Sequence, residues 1–156
     1  MPNTSLAVYL QDHLAGSAAA VEILRGLRDE HEGQPLGQFA ADILMEVERD
    51  RAILETLIER VGGGTSPLKE TTAWLGAKLS RFKLGRELSD ELGVLEALEV
   101  VALGILGKRA LWDSLSAIGA DARLRGLDLS HLIERAVSQH DRVEKERLRA
   151  ARAALS

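Results

Sequence analysis

Five residues able to carry charge or to bind an ion fall on seams that are otherwise apolar: His13, Asp50, Glu99, His140 and Arg147. Two imidazoles and a carboxylate at one level of a helical bundle would match the ligand set of many mononuclear metal sites. The same three groups can instead form a hydrogen-bonded layer in which Asp50 orients a histidine or ion-pairs with it. That polar layer is the expectation, because each residue comes from a different helix and no local spacing joins them into a metal motif. Glu99 has Leu92, Leu95, Leu103 and Leu106 about its face, which predicts a partly dry carboxylate. Such a group without a partner would raise its pKa to shed its charge. Hairpin pairing across the 119–128 loop brings Arg147 level with it, so a buried Glu99–Arg147 ion pair is expected, favouring specific packing more than stability. All five are candidate ligand-binding residues, and none is assigned a catalytic or metal-ligating role.

The elements that must position them are helices. Thr4 or Ser5 can cap a first helix running to about Arg28. On it Leu6, Leu10, His13, Ser17, Ala20, Leu24 and Leu27 alternate at spacings of four and three along one face. Glu32-Gly33-Gln34-Pro35 breaks that helix, and Pro35 suits the first turn of the next, where its missing N–H costs nothing. The second seam reads Leu36, Ala40, Ile43, Val47, Asp50, Leu54, Leu57 and Val61, and Gly62-Gly63-Gly64 ends it. An antiparallel hairpin of these two helices sets His13 beside Asp50 and Arg51.

From Gly62 to Ser89 the connection exceeds the ~2–8 residues usual between packed helices. Ser66 can cap and Pro67 open a helix there, with Leu68, Leu75, Leu79 and Phe82 near one face. Lys78, Arg81, Lys83 and Arg86 read as its solvated side. Ser89 is the expected cap of the third long helix. Its stretch 92–112 is apolar on most sides, so it is expected to be the most buried. Gly104 and Gly107 lie inside it at about 1 kcal/mol each in helix propensity, and close approach by a neighbouring helix is the expected reason. A fourth helix starts near Asp128 with the seam Leu129, Ile133, Ala136, His140, Val143, Arg147, Ala150 and Ala154. If it runs parallel to the first, His140 stands at the height of His13. His31 and His131 are expected at exposed helix ends, and Trp74 and Trp112 as core or interface fillers.

Composition narrows the class. The 156 residues are 46% hydrophobic and 28% charged but only 3% aromatic, which suits helices packed through aliphatic side chains. A formal charge of -4 offers no basis for binding nucleic acid, since neutralising phosphates takes clustered Lys and Arg. With no cysteine there is neither a disulfide framework nor a thiolate nucleophile. No apolar run approaches the ~20 residues of a membrane span, and Met1-Pro2-Asn3-Thr4-Ser5 is unlike a secretory signal. A soluble cytoplasmic protein with no membrane partner is expected.

Several segments together resemble the ferritin-like superfamily, and more narrowly a group of uncharacterised bacterial ferritin-like proteins. They are Tyr9-Leu10-Gln11-Asp12-His13-Leu14-Ala15-Gly16, Glu46-Val47-Glu48-Arg49-Asp50-Arg51 with Leu54-Glu55, and Trp74-Leu75-Gly76-Ala77-Lys78. Leu95-Glu96-Ala97-Leu98-Glu99 and Gly104-Ile105-Leu106-Gly107-Lys108-Arg109-Ala110-Leu111-Trp112 complete the likeness, which covers nearly the whole chain. It implies an all-α, ferritin-like four-helix bundle over residues 1–156, as one domain, with a long helical crossover between helices two and three. Di-iron members of that superfamily use a glutamate from each of two helices and a Glu-x-x-His pair from each of the others. Glu22 and Glu99 stand for the lone glutamates, while Glu48 with Arg51 and Glu144 with Arg147 stand for the pairs. Arginine does not deprotonate in proteins and cannot replace imidazole as a ligand. Salt bridges filling a degenerate di-iron site are therefore expected, with no cofactor. The implied protein is a non-enzymatic, metal-free helical module for protein interaction or small-ligand binding, forming a homodimer through an exposed helix pair. The alternative is an iron- or manganese-dependent oxidase or iron-handling protein using His13, Asp50, His140 and nearby carboxylates.

Overall fold

The computed structural model describes residues 4–62 and 87–156. Four α-helices of 27 residues each carry them: α1 Thr4–Glu30, α2 Pro35–Val61, α3 Glu91–Ala117 and α4 Leu129–Leu155. Each is about 40 Å long at 1.5 Å per residue. A short 3-10 turn, Ala122–Leu124, lies between the last two, and no strand occurs among the described residues. The helix expected within 66–82, the basic cluster beside it and Trp74 lie outside the described residues.

The helix ends follow from local chemistry. Pro35 opens α2, and Gly62 closes it in the left-handed conformation at φ 87°, which glycine adopts without strain. Asp128 caps α4 by accepting from the His131 amide at 3.0 Å. Two expectations about ends fail. Asp90, not Ser89, holds the N-cap position of α3 without a side-chain cap bond, and the Ser89 hydroxyl donates to Glu87 instead. His31 is not simply exposed, because its Nε2 donates to the Leu88 carbonyl at 2.8 Å and ties the α1–α2 turn to the approach to α3. His131 is exposed as expected.

Cross-helix contacts fix the directions. At one pole the Tyr9 hydroxyl donates to Ser114 Oγ at 3.0 Å; at the other His31 meets Leu88. α1 and α3 are therefore antiparallel. Arg25 on α1 reaches Glu48 on α2, and Arg142 on α4 reaches Glu46 on α2. Thus α1 and α4 run one way, α2 and α3 the other.

Apolar burial divides into two clusters. One joins Leu24 and Leu27 of α1, Ile43 and Val47 of α2, and Leu98 and Val101 of α3. The second joins Leu10 and Leu14, Leu54 and Leu57, and Leu111 and Trp112 from the opposite halves of the same helices. Trp112 is fully buried, a core filler as expected. α3 has more buried residues than any other described helix, as its composition suggests, yet Leu103 is 67% and Leu106 43% exposed. On α4 the buried positions are Leu132, Ala136, Gln139 and Val143, a seam rotated so that Gln139, rather than His140, points inward.

Gly37 marks the closest approach within the α1–α2 hairpin. A Cβ there would lie 2.1 Å from the His31 carbonyl oxygen, a backbone atom that cannot swing away. Gly37→Ala is expected to cost about 1–3 kcal/mol, as overpacking does. Gly33→Gln tests a different cost at the same turn, since φ there is +77° but the Cβ has open space. Chemical denaturation of both variants would reveal the hairpin as wrongly packed if Gly37→Ala matched wild type.

Candidate functional site

At mid-height, between the two apolar clusters, the bundle carries a layer of charge. Asp50 is 2% exposed and accepts from Lys108 Nζ on α3 at 2.6 Å and from the Arg135 guanidinium on α4. Gln139 Nε2 adds a third donor at 3.3 Å. The Gln139 amide uses both ends, because its oxygen accepts from Lys108 while its nitrogen also donates to Glu46 at 3.0 Å. Lys108 can only donate and ionised carboxylates can only accept, so this orientation is the one the layer permits. Glu46 is held in turn by two bonds from Arg142, at 3.0 and 2.7 Å. Two carboxylates thus face three cations, and α2, α3 and α4 are locked at one level.

Electrostatics follow from these contacts. Burial lowers the Lys108 pKa below its ordinary value, opposed chiefly by the charge of Asp50. Hydrogen bonding from Arg142 lowers that of Glu46, against its partial burial. His13 is lowered by desolvation, with the Asp12 charge acting the other way, so its imidazole is neutral at pH 7. Its ring meets Tyr9 edge-on at 4.7 Å.

Against one side of this layer lies a cavity of about 240 Å³ between α1, α2 and α3. Val47, Leu54, Ile105, Leu111 and Trp112 give it an apolar wall, and His13 and Arg51 are polar residues of its lining. Gly16, Gly104 and Gly107 also line it. The reason expected for the last two fails: a Cβ at Gly107 would meet nothing within 4 Å, and one at Gly104 would make only an ordinary 3.5 Å contact with Ala20. Gly16 has the same empty surroundings as Gly107. Gly16 and Gly104 are exposed, and Gly107 is half-buried.

Three buried side-chain donors have no partner among the described residues: Arg51 Nε, Trp112 Nε1 and Arg135 Nε. Two belong to residues of the cavity wall. Orphaned buried donors are uncommon, and each calls for a reason.

The expected site residues are only partly assembled. His13 and Asp50 share the cavity wall, but the hydrogen bonds of Asp50 go to Lys108, Arg135 and Gln139 rather than to an imidazole. His140 is half-buried and acts on Glu144 one turn along its own helix. The Glu99–Arg147 pair forms, at 3.5 Å, but Glu99 is 50% exposed and the expectation of a dry carboxylate fails. Arg147 is held more closely by Glu144, at 2.8 Å. Glu48 pairs with Arg25 at 3.0 Å in place of Arg51, and Arg25 also holds Glu22 at 3.0 Å. The four glutamates matched to a di-iron site are therefore divided between two partly exposed arginine clusters. Among the described residues no group of three or more His, Asp or Glu side chains is placed to hold a metal ion. No helix there is long and apolar enough to cross a membrane.

Lys108, Arg135 and Gln139 were not among the expected site residues. Lys108 carried a usable signal, falling three residues from Ile105 and four from Trp112 on the buried face of α3. For α4 the spacings of Ala136–Gln139–Val143 and Ala136–His140–Val143 are equally helical, so periodicity did not separate them. No protein-family model, curated protein or solved structure matches this chain.

Removing one partner of a buried ion cluster leaves uncompensated charge, so Asp50→Ala is expected to cost about 3–5 kcal/mol. Glu99→Leu, at a half-exposed pair, is expected to cost under about 1 kcal/mol. Urea denaturation distinguishes them, and equal costs would show that Asp50 is not the anchor. The lowered pKa of Glu46 gives a pH signature. Its contribution is complete above the ordinary glutamate value of 4.5 and is lost as pH falls through its folded pKa. The stability gap between wild type and Glu46→Gln should accordingly narrow below pH 4.5. A gap constant down to acid unfolding would contradict the Arg142 contact.

Proposed function

We propose that this protein is a non-enzymatic helical module that binds a small ligand in the cavity between α1, α2 and α3. The observation carrying the reading is Gly107, half-buried in the cavity wall, where a Cβ would meet nothing within 4 Å. It weakens its helix by about 1 kcal/mol relative to alanine, while Gly16 and Gly104 stand exposed at the rim. An apolar cavity of about 150 Å³ already takes a benzene-sized guest, and this one is larger.

A ferritin-like topology is part of the proposal. It is supported by the shared direction of α2 and α3, which leaves residue 62 at the Leu124 pole and residue 87 at the His31 pole. The iron or manganese chemistry of that superfamily does not fit these side chains, because the oxygens of Asp50 are engaged by cations and the matched glutamates by Arg25 and Arg147. A homodimer is proposed through the outward face of α3, where Leu103 and Leu106 are exposed.

Protein purified without chelator is expected to carry iron, manganese and zinc far below one ion per chain by elemental analysis. It is expected to bind 1-octanol saturably by calorimetry. Gly107→Leu should abolish that binding while leaving the melting temperature unchanged or higher. Stoichiometric metal, or octanol binding indifferent to Gly107→Leu, would reject this function.

A further inference from the structure

We infer that the cavity takes a small organic monocarboxylate, its anionic head beside Arg51 and a short aliphatic body along α1 and α3. The inference rests on reading the cavity as a binding site and adds the chemical class of its ligand.

Arg51 Nε and Trp112 Nε1 have no partner among the described residues, but both atoms are sealed by surrounding protein, so only the outer guanidinium nitrogens of Arg51 can meet a ligand in the cavity. Arg51 was expected to pair with Glu48, but that carboxylate is taken by Arg25, and no ion pair of Arg51 occurs among the described residues. A guanidinium at the edge of an apolar volume favours a carboxylate, whose two oxygens match its fork of donors.

Other ligand charges fit less well. A cation would face Arg51 and Lys108, and Asp50, the one buried carboxylate among the described residues, already has Lys108 and Arg135 on its oxygens. The layer next to the cavity holds more positive than negative charge, with Glu46 and Asp50 against Lys108, Arg135 and Arg142. Asp12 is the remaining carboxylate of the lining and is exposed, so water screens it. A neutral apolar guest would fill the volume but leave the outer guanidinium nitrogens of Arg51 without a charged partner. On the other side, Val47, Leu54, Ile105 and Leu111 offer carbon to carbon, and the glycines give the body room.

Isothermal calorimetry of the full chain at neutral pH tests this with three probes of one length: octanoate, 1-octanol and octylammonium. Octanoate is expected to bind one per chain, octanol at least tenfold more weakly, and octylammonium not measurably. Arg51→Met should weaken octanoate at least tenfold and leave octanol unchanged. Octanol binding as tightly as octanoate, or Arg51→Met leaving octanoate untouched, would overturn the anion assignment while the cavity reading stood. If none of the three probes bound, the cavity reading itself would fall. The wild-type comparison of octanoate with octanol decides the matter by itself if Arg51→Met does not fold.

Discussion

Asp50 sits near the middle of α2 with almost no access to water, and it is tolerable there because Lys108 and Arg135 reach it from two other helices. A lone carboxylate in that position would protonate or unfold its surroundings. The need to compensate it sets which faces of α3 and α4 turn inward. Lys108 must stand at the level of Asp50, which fixes the height of α3 against α2. Arg135 and Gln139, four residues apart, must both face α2, which fixes the rotation of α4. The apolar residues on these helices can slide by a turn and still meet leucines. The ionic layer cannot, so it supplies registration that aliphatic packing alone leaves loose.

That layer also explains why a cavity can persist beside it. Two apolar clusters, above and below, each close on their own leucines and isoleucines. Between them the helix spacing is held by charged side chains that reach across from α3 and α4 to α2. The α1 side of the same level receives no such filling. It has Gly16 and Ser17 on α1 opposite Gly104 and Gly107 on α3, all too small to occupy the gap. Gly16 and Gly104 are exposed, so the volume opens toward solvent on that side, and Gly107 leaves room within the partly buried wall.

Much of this was legible in the sequence, and the failures have a common physical origin. The α2 seam was read almost residue for residue, from Ala40 through Asp50 to Val61, because its apolar and polar faces contrast sharply. α1 and its break at Gly33 and Pro35 were equally plain. α3 misled because nearly all its sides are apolar, so its composition could not tell the buried Leu98 and Val101 from the exposed Leu103 and Leu106. α4 misled for the opposite reason. Its inward face is partly polar, and a seam defined by hydrophobicity had no way to prefer Gln139 to His140. In both helices the deciding quantity is the partner across the bundle, which periodicity does not encode. The cavity was invisible for the same reason, and Gly104 and Gly107 suggest a close helix approach in the sequence where the structure has open space or ordinary contact.

The glutamates show what separates this interior from a metal centre of the kind its segments resemble. Arg25 sits three residues after Glu22 on α1 and also reaches Glu48 on α2. Arg147 sits three residues after Glu144 on α4 and also reaches Glu99 on α3. Each hairpin is thus braced by one arginine between two glutamates, one local and one across the hairpin. A di-iron site requires its carboxylates to converge on one volume so that two ions offset their mutual repulsion. Here arginine provides that offset within each hairpin, and the two clusters have no need of each other. Among the described residues the interior holds one buried aspartate, Asp50, with Lys108 and Arg135 on its oxygens.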